Sequence, residues 1–196
     1  MKKTIGIAGG VGAGKSTVLT VLKEQYNAKI ILTDEVGHEL MMPGTAVYKK
    51  IISVFGEDIL DEEGFFDKKK LSDLLFDDKE ARAKMNSIVH PAVFEEVKKR
   101  AEQSKKDLVV IESALLIEAG FKPICDEVWY VYVPTQERVK RLYEQRGYSE
   151  VKSYSIIHSQ MGHTELLKAC DRILDNSSSR EYTRYQVAQI MEDFPV

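Results

Sequence analysis

The segment Gly9-Gly10-Val11-Gly12-Ala13-Gly14-Lys15-Ser16-Thr17 matches G-x-x-x-x-G-K-[ST], the pattern of the phosphate-binding P-loop. The apolar run Thr4–Ala8 precedes this segment and predicts a buried strand, and Lys15–Tyr26 has the pattern of a helix. The motif requires this order of strand, loop and helix. A glycine-rich turn without a ligand is the alternative, but a chance match in a chain of this length has odds of about one in a hundred.

The loop predicts a site for a nucleoside triphosphate with Mg²⁺. Glycines allow a tight turn and leave backbone N–H groups free to point at phosphate oxygens, and the following helix adds partial positive charge. Lys15 supplies a charge that can follow the transferred phosphoryl group, and the Ser16 hydroxyl is a ligand for Mg²⁺. The predicted ATP-binding residues of the loop are Gly10, Val11, Gly12, Ala13, Gly14, Lys15, Ser16 and Thr17.

Composition limits the class of protein. The chain has 196 residues, of which 43% are hydrophobic, and this predicts one compact domain over residues 1–196. A net charge of −3 gives no general attraction to nucleic acid or to an anionic membrane, and no apolar run is long enough to span a bilayer. The first residues have neither an apolar h-region nor a cleavage site, so we expect no signal peptide. Cys125 and Cys170 are unpatterned, so we expect free thiols and a cytoplasmic monomer or weak homo-oligomer.

Alternating strand and helix patterns predict an α/β fold with a parallel sheet, the three-layer fold of P-loop NTPases. The predicted strands are Thr4–Ala8, Lys29–Leu32, Leu108–Glu112, Val128–Val133 and, more weakly, Arg172–Asp175. The predicted helices are Lys15–Tyr26, Asp34–Met42, Thr45–Phe55, Lys68–Phe76, Asp78–Val89, Pro91–Ser104, Gln136–Arg146, Glu150–Met161 and Ser179–Glu192.

Two helical segments are expected to cover the site. Residues 34–104 contain no convincing strand, so they predict a helical insertion over the carboxyl ends of the strands, where ligands bind in open α/β sheets. Residues 136–162 predict lid helices. His90-Pro91 lies between two predicted helices, with the proline at a first helical position, and His90 either contacts the substrate or caps a helix.

Two carboxylates follow predicted strands. Asp34 comes after the second strand, where it can orient an acceptor hydroxyl and take its proton; the alternative role is an N-cap of the next helix. Glu112 ends the third strand, the place of a metal contact in P-loop enzymes, but an ordinary strand-end carboxylate fits equally well.

A cluster of cations lies on the predicted lid helix. Arg138, Lys140, Arg141 and Arg146 have spacings that bring several of them to one face. Arginines at this place can close over a triphosphate and neutralise developing charge, and Arg141 is the predicted catalytic member. A solvated helix face is the alternative.

The ordered series of motifs resembles the dephospho-CoA kinase family over most of the chain. The similar segments are the loop, Asp34 with Pro43-Gly44, Asn86-Ser87-Ile88-Val89-His90-Pro91, Leu115-Leu116-Ile117-Glu118, Arg141-Leu142 with Arg146, and Ile173-Leu174-Asp175-Asn176. The resemblance implies ATP-dependent phosphorylation of the ribose 3′-hydroxyl of dephospho-CoA, which gives coenzyme A and ADP. It also implies that Arg146 and Asn176 contact ATP, and that Asp34, His90, Leu115 and Glu118 contact the acceptor.

Some residues depart from the usual family pattern, among them Leu32, Gly37-His38, Glu112-Ser113-Ala114 and Ser155. Most of these positions would face the acceptor or the lid. Two alternatives therefore stay open: a related kinase for another hydroxyl acceptor, such as a nucleoside or nucleotide, and a nucleotide-dependent switch without catalysis.

Overall fold

The computed structural model describes residues 2–194, apart from the side chain of Asp77. Residues 1, 195 and 196 of the predicted 1–196 domain lie outside the described part. The chain forms two compact units, and the first combines Met1–Leu32 with Arg100–Val196 whereas the second is Thr33–Lys99. No helix within the described part is both long and apolar enough to cross a membrane.

The first unit contains a sheet of five parallel strands in the order β2-β3-β1-β4-β5. The strands are β1 Lys3–Ala8, β2 Lys29–Leu32, β3 Leu108–Glu112, β4 Glu127–Tyr132 and β5 Arg172–Asp175. The central strand β1 pairs with β3 from Lys3↔Leu108 and with β4 from Ile5↔Glu127. The α/β fold with a parallel sheet and all five predicted strands are thereby confirmed.

Helices of the first unit follow most of the strands. They are α1 Lys15–Gln25, α6 Thr135–Arg146, α7 Glu150–His158, α8 His163–Ala169 and α9 Arg180–Asp193, and a short 3₁₀ helix covers Lys122–Ile124. The helices of the second unit are α2 Thr33–Leu40, α3 Ala46–Phe55, α4 Lys68–Asp77 and most of α5 Lys79–Gln103.

The sheet is covered on both faces, which explains why its strands are apolar almost throughout. One face packs against α1 and α9 in a buried cluster, whose members include Ile5, Ile7, Val18, Leu22, Trp129, Val131, Val187 and Met191. The opposite face carries Gly6, where a Cβ atom would lie 2.9 Å from Cys125 Sγ. Helix α8 lies against β4. The strands β1, β3 and β5 end at Ala8, Glu112 and Asp175. The glycine-rich loop begins at this carboxyl edge of the sheet.

The second unit has its own apolar cluster of Val47, Ile51, Ile59, Met85 and Ile88. Side-chain caps set the starts of two of its helices. Thr45 accepts a hydrogen bond from the backbone N–H of Tyr48, and Asp67 accepts from those of Lys69 and Lys70. The hydrogen bond from Lys70 is the main reason that the pKa of Asp67 lies below its usual value.

Two predicted helix boundaries are wrong. Helix α5 continues through Pro91, where a break into Asp78–Val89 and Pro91–Ser104 was expected. Buried residues lie on both sides of the proline in the chain, at 81, 85 and 88 before it and at 93, 97 and 101 after it, and this packing outweighs the local cost of proline, about 3 kcal/mol. The second error is at α7, which ends at His158 rather than Met161 and is followed by the unpredicted helix α8.

Candidate active site

The glycine-rich loop connects the end of β1 to the start of α1. The backbone φ angles of Gly9, Gly12 and Gly14 are 147°, 78° and 73°, values that residues other than glycine rarely adopt. Gly14 is the N-cap of α1, so the loop ends at a helix N-terminus that favours anions. This geometry agrees with the predicted phosphate site.

Lys15 is held at the loop by two oxygen atoms. Its Nζ donates to the Gly9 carbonyl at 2.7 Å and lies 3.1 Å from Glu112 Oε1. The side chains of Lys15 and Glu112 are only 13% and 16% exposed, so the pair is shielded from solvent. An ammonium group has three donors, which leaves one for a phosphate oxygen among the contacts of the described residues. The ammonium group of Lys15 is therefore held beside the loop by contacts within the protein itself.

Ser16 and Glu112 carry oxygen atoms of the kind that Mg²⁺ binds. Ser16 is an exposed residue in the first turn of α1, and Glu112 ends β3 beside β1, in register with Ile7. Within residues 2–194 no group of three His, Cys, Asp or Glu side chains could hold an ion. The donor set thus fits Mg²⁺, which usually takes one or two protein oxygens and completes its shell with phosphates and water.

The side chain of Asn176 is hydrogen-bonded to the glycine-rich loop. Its Nδ2 donates to the carbonyls of Ala13 and Gly14 at 2.7 and 3.1 Å, and its Oδ1 accepts from the hydroxyl of Thr183 at 2.8 Å. Asn176 is 5% exposed and Thr183 is fully buried. Both amide hydrogens of Asn176 are used inside the protein, so its side chain positions the loop.

Two arginines of α6 reach the loop. Arg138 Nε donates to the Val11 carbonyl at 2.8 Å, and Arg141 Nη2 donates to the Asn176 carbonyl at 3.0 Å. Arg141 also pairs with Glu137, one turn earlier, at 3.1 Å. Burial lowers the pKa of Arg138 from its usual value, although a guanidinium group stays protonated in proteins.

Arg146 is placed differently from these two arginines. It lies at the exposed C-terminal end of α6, with its guanidinium carbon 6.0 Å from the centre of the Tyr148 ring. Lys140 is exposed on the same helix. Of the predicted lid cations, the structure brings Arg138 and Arg141 to the loop and shows Arg146 against Tyr148.

Gln160 is a loop contact that sequence reasoning missed. The N–H of Val11 donates to Gln160 Oε1 at 2.9 Å, and Arg138 Nη2 donates to the same oxygen at 3.3 Å. Gln160 and Arg138 therefore hold both the N–H and the carbonyl of Val11. Gln160 follows the end of α7, and a polar residue at a helix end carries no signal that would single it out.

The Leu115–Glu118 segment forms a turn after β3. Leu115 is 40% exposed, whereas Leu116 is buried at 1% exposure. Glu118 is exposed, and one of its carboxylate oxygens accepts from the N–H of Met161 at 3.2 Å. This hydrogen bond ties the turn to the segment between α7 and α8.

Asp34 and His90 belong to the second unit, and both are exposed. Helix α2 already begins at Thr33, so Asp34 lies in the first helical turn and the N-cap alternative is wrong. His90 lies in the middle of the continuous helix α5, so it does not cap a helix end. Both side chains are accessible for contact with a ligand.

Comparisons with known proteins identify the family of the chain. The family model described as dephospho-CoA kinase matches residues 3–181. A dephospho-CoA kinase of Carboxydothermus hydrogenoformans is 39% identical over 191 residues, which cover 96% of this chain and 92% of that protein. In fold, TT1252 from Thermus thermophilus has a TM-score of 0.85 at 25% identity and covers 100% of this chain and 99% of its own. A dephospho-CoA kinase from Campylobacter jejuni has a TM-score of 0.71 at 23% identity, with 99% and 98% covered. The chain belongs to the dephospho-CoA kinase family.

Proposed function

We propose that this protein transfers the γ-phosphoryl group of ATP to the ribose 3′-hydroxyl of dephospho-CoA, which forms coenzyme A and ADP. The observation that carries the proposal is the largely shielded ion pair of Lys15 with Glu112, held at a glycine-rich loop that ends in a helix N-terminus. Family membership supports dephospho-CoA as the acceptor.

Catalysis by these residues is mainly positioning and charge neutralisation, because phosphoryl transfer asks for little covalent chemistry from the protein. The loop amides bind the β- and γ-phosphates, and the remaining N–H of Lys15 follows the group that moves. Arg138 and Arg141 line the same loop and limit the access of water, which suppresses hydrolysis of ATP. Arg141 is the arginine that we assign to the developing charge.

Asp34 is our candidate general base for the acceptor hydroxyl. It follows β2 by two residues, it is exposed, and an ionised carboxylate can accept the proton at hydrogen-bond distance. His90, Leu115 and Glu118 are proposed acceptor contacts. Arg146 is a proposed ATP contact, and Asn176 supports ATP through the loop that it holds.

Ser16 and Glu112 would hold Mg²⁺, which draws negative charge from the phosphates when it is bound. For Glu112 this role competes with its ion pair to Lys15, so we assign Ser16 the direct contact. The setting that fits these substrates is the cytoplasm, with the protein as a monomer or a weak homo-oligomer.

The test is a coupled assay of ADP release with dephospho-CoA, adenosine, AMP and pantothenate as acceptors. We expect the highest kcat/KM for dephospho-CoA, since selectivity is a ratio of these values. A different leading acceptor would contradict the proposed substrate but leave the loop chemistry standing. Slow ADP release that no acceptor stimulates would contradict a kinase and favour a nucleotide-dependent switch.

A further inference from the structure

A cavity of about 480 Å³ lies within the first unit, on the face of the sheet away from α1. Residues of β4, the start of α6 and the segment from α7 to α8 form its walls. Its volume falls in the range of roughly 300–1,000 Å³ that is typical of small-molecule sites. None of the acceptor contacts proposed above lies among its lining residues.

One wall of the cavity is aromatic. Tyr130 and Tyr132 alternate along β4, so their rings project to the same face of the sheet. The ring of His163 lies 4.7 Å from that of Tyr132 and 5.8 Å from that of Tyr130. A hydrogen bond of 3.2 Å between the Tyr130 hydroxyl and His163 Nδ1 fixes these two rings. This wall thus consists of three packed aromatic rings that carry polar groups at their edges.

The opposite wall is shared with the phosphate loop. Arg138 and Gln160 line the cavity, and the same two side chains hold the N–H and carbonyl of Val11. They also pack closely on Gly10, where a Cβ atom would clash with Arg138 Nη2 and lie 2.7 Å from Gln160 Oε1. A ligand in the cavity is therefore separated from the loop by single side chains.

We propose that this cavity binds the adenine ring of the acceptor, an inference that rests on the proposed function. The adenine of dephospho-CoA is bonded to the same ribose that carries the reacting hydroxyl, so it must lie close to the loop when that hydroxyl reaches the γ-phosphoryl. A flat heteroaromatic base stacks well on aromatic side chains, whereas a flexible pantetheine arm gains little from them. The base of ATP is separated from the γ-phosphoryl by the whole triphosphate chain.

The experiment compares Tyr132→Leu with the control Tyr185→Leu. Tyr185 is a tyrosine of α9 that is 59% exposed and stacks on Tyr182, away from the cavity. Three quantities are measured for the parent and each variant: the KM for dephospho-CoA, the KM for ATP, and the inhibition constant of phosphopantetheine, the half of the acceptor that lacks adenosine. His163→Leu is the second cavity variant, since His163 is exposed and its replacement disturbs the sheet least.

We expect the KM for dephospho-CoA to rise about 10-fold or more in the cavity variants, as for the loss of one stacked base. The KM for ATP and the inhibition by phosphopantetheine should stay within about two-fold, and Tyr185→Leu should match the parent. A rise in the KM for ATP would place the donor base in the cavity and overturn the inference. A parallel weakening of phosphopantetheine would place the pantetheine arm there, with the same consequence.

Two further outcomes separate this inference from the proposed function. Normal turnover of dephospho-CoA with unchanged KM in both Tyr132→Leu and His163→Leu would overturn the inference alone. No turnover of dephospho-CoA by the parent protein would overturn the proposed function, and the assignment of the cavity with it.

Discussion

At the scale of single residues, the ion pair of Lys15 and Glu112 contributes both to the stability of the fold and to the positive charge at the loop. Burial makes the pair sensitive to the loss of either partner, because a carboxylate without its cation is costly in a shielded place. The same shielding strengthens the field of Lys15 at the loop, since fewer water molecules screen it. Substitutions here must therefore be followed by both activity and stability.

Lys15→Met is expected to reduce turnover by about 10²–10³-fold, the usual effect of removing one group that stabilises transition-state charge. Methionine keeps most of the aliphatic stem but cannot donate to Gly9 or to a phosphate. The measurement is kcat for ADP release, with circular dichroism to confirm folding. Lys23→Met is the matched control, because Lys23 is exposed in the last turn of the same helix. Parental turnover in folded Lys15→Met would contradict the assignment of the loop.

Asp34→Asn tests the proposed general base. The exchange keeps size and shape, so we expect phosphoryl transfer to fall by about 10²-fold while ATP still binds. Glu35→Gln is a close control, because Glu35 is the next residue, is also exposed and removes the same charge from the first turn of α2. The two variants should therefore lose similar small amounts of helix-dipole stabilisation. Equal kcat values in both variants would show that Asp34 does not take the proton.

At the scale of elements, the loop is held by the connection from β5 to α9. Asn176 donates to two loop carbonyls and Thr183 of α9 orients the Asn176 side chain. These contacts lie on the far side of the loop from Gln160 and Arg138, which hold Val11. The loop is thus fixed through the carbonyls of Val11, Ala13 and Gly14 and through the N–H of Val11, and its other N–H groups can bind phosphates.

Asn176→Ala is expected to destabilise the protein by about 1–3 kcal/mol, because it leaves buried carbonyl and hydroxyl groups without partners. It should also raise the KM for ATP, since the loop loses two of its supports. Thr183→Val keeps the shape of Thr183 and removes only the hydroxyl, so a smaller effect of the same kind is expected. Urea unfolding and the KM for ATP are the two measurements. A stability loss without any change in the KM would show that Asn176 serves the fold alone.

The sequence predicted the strands and the loop because each leaves a local pattern. Glycines before Lys15, and apolar runs such as Leu108–Glu112, can be interpreted without knowledge of their neighbours. Pro91 misled the prediction because its local cost is visible in the sequence, whereas the buried residues before and after it, which offset that cost, become visible only in the folded protein. Helix α8 was missed for a similar reason. This helix starts after Gly162, whose N–H donates to the side chain of Glu165, a contact that is known only once the chain is folded.

The residues of the candidate site also fall into two groups: those that a local sequence pattern predicts and those that only the folded structure identifies. Lys15 and Ser16 were found from the loop pattern, and Arg138 and Arg141 from their position after a strand. Gln160 and the aromatic wall around His163 could not be predicted, because their meaning arises from contacts between α6, the end of α7 and β4.

At the scale of the whole molecule, the first unit contains the phosphate loop, the cavity and both cysteines. The prediction that Cys125 and Cys170 are free is confirmed for the described structure. Burial is the main reason that the pKa of Cys125 is raised to about 12 and that of Cys170 to about 11. At pH 8 the thiolate fraction of each cysteine is therefore far below that of an ordinary thiol, whose pKa is about 8.5.

These thiols provide a measure of how ligands stabilise the first unit. We expect alkylation at pH 8 to be slow in the native protein and fast in urea, because the reactive thiolate forms readily only after unfolding. Bound ATP should slow it further. At an ATP concentration of 100 times Kd the unfolding free energy rises by about 2.7 kcal/mol, which lowers the labelling rate about 100-fold if the whole unit must open.

The measurement is mass-spectrometric labelling of Cys125 and Cys170 over time, with Mg²⁺ alone as the control for ionic effects. Equal slowing at both cysteines would show that the unit opens as one cooperative body, since both sites then depend on the same equilibrium. If ATP protects neither cysteine, the thiols become reactive through local openings that leave the phosphate loop intact. Rapid labelling of the native protein without urea would contradict the burial that raises the two pKa values.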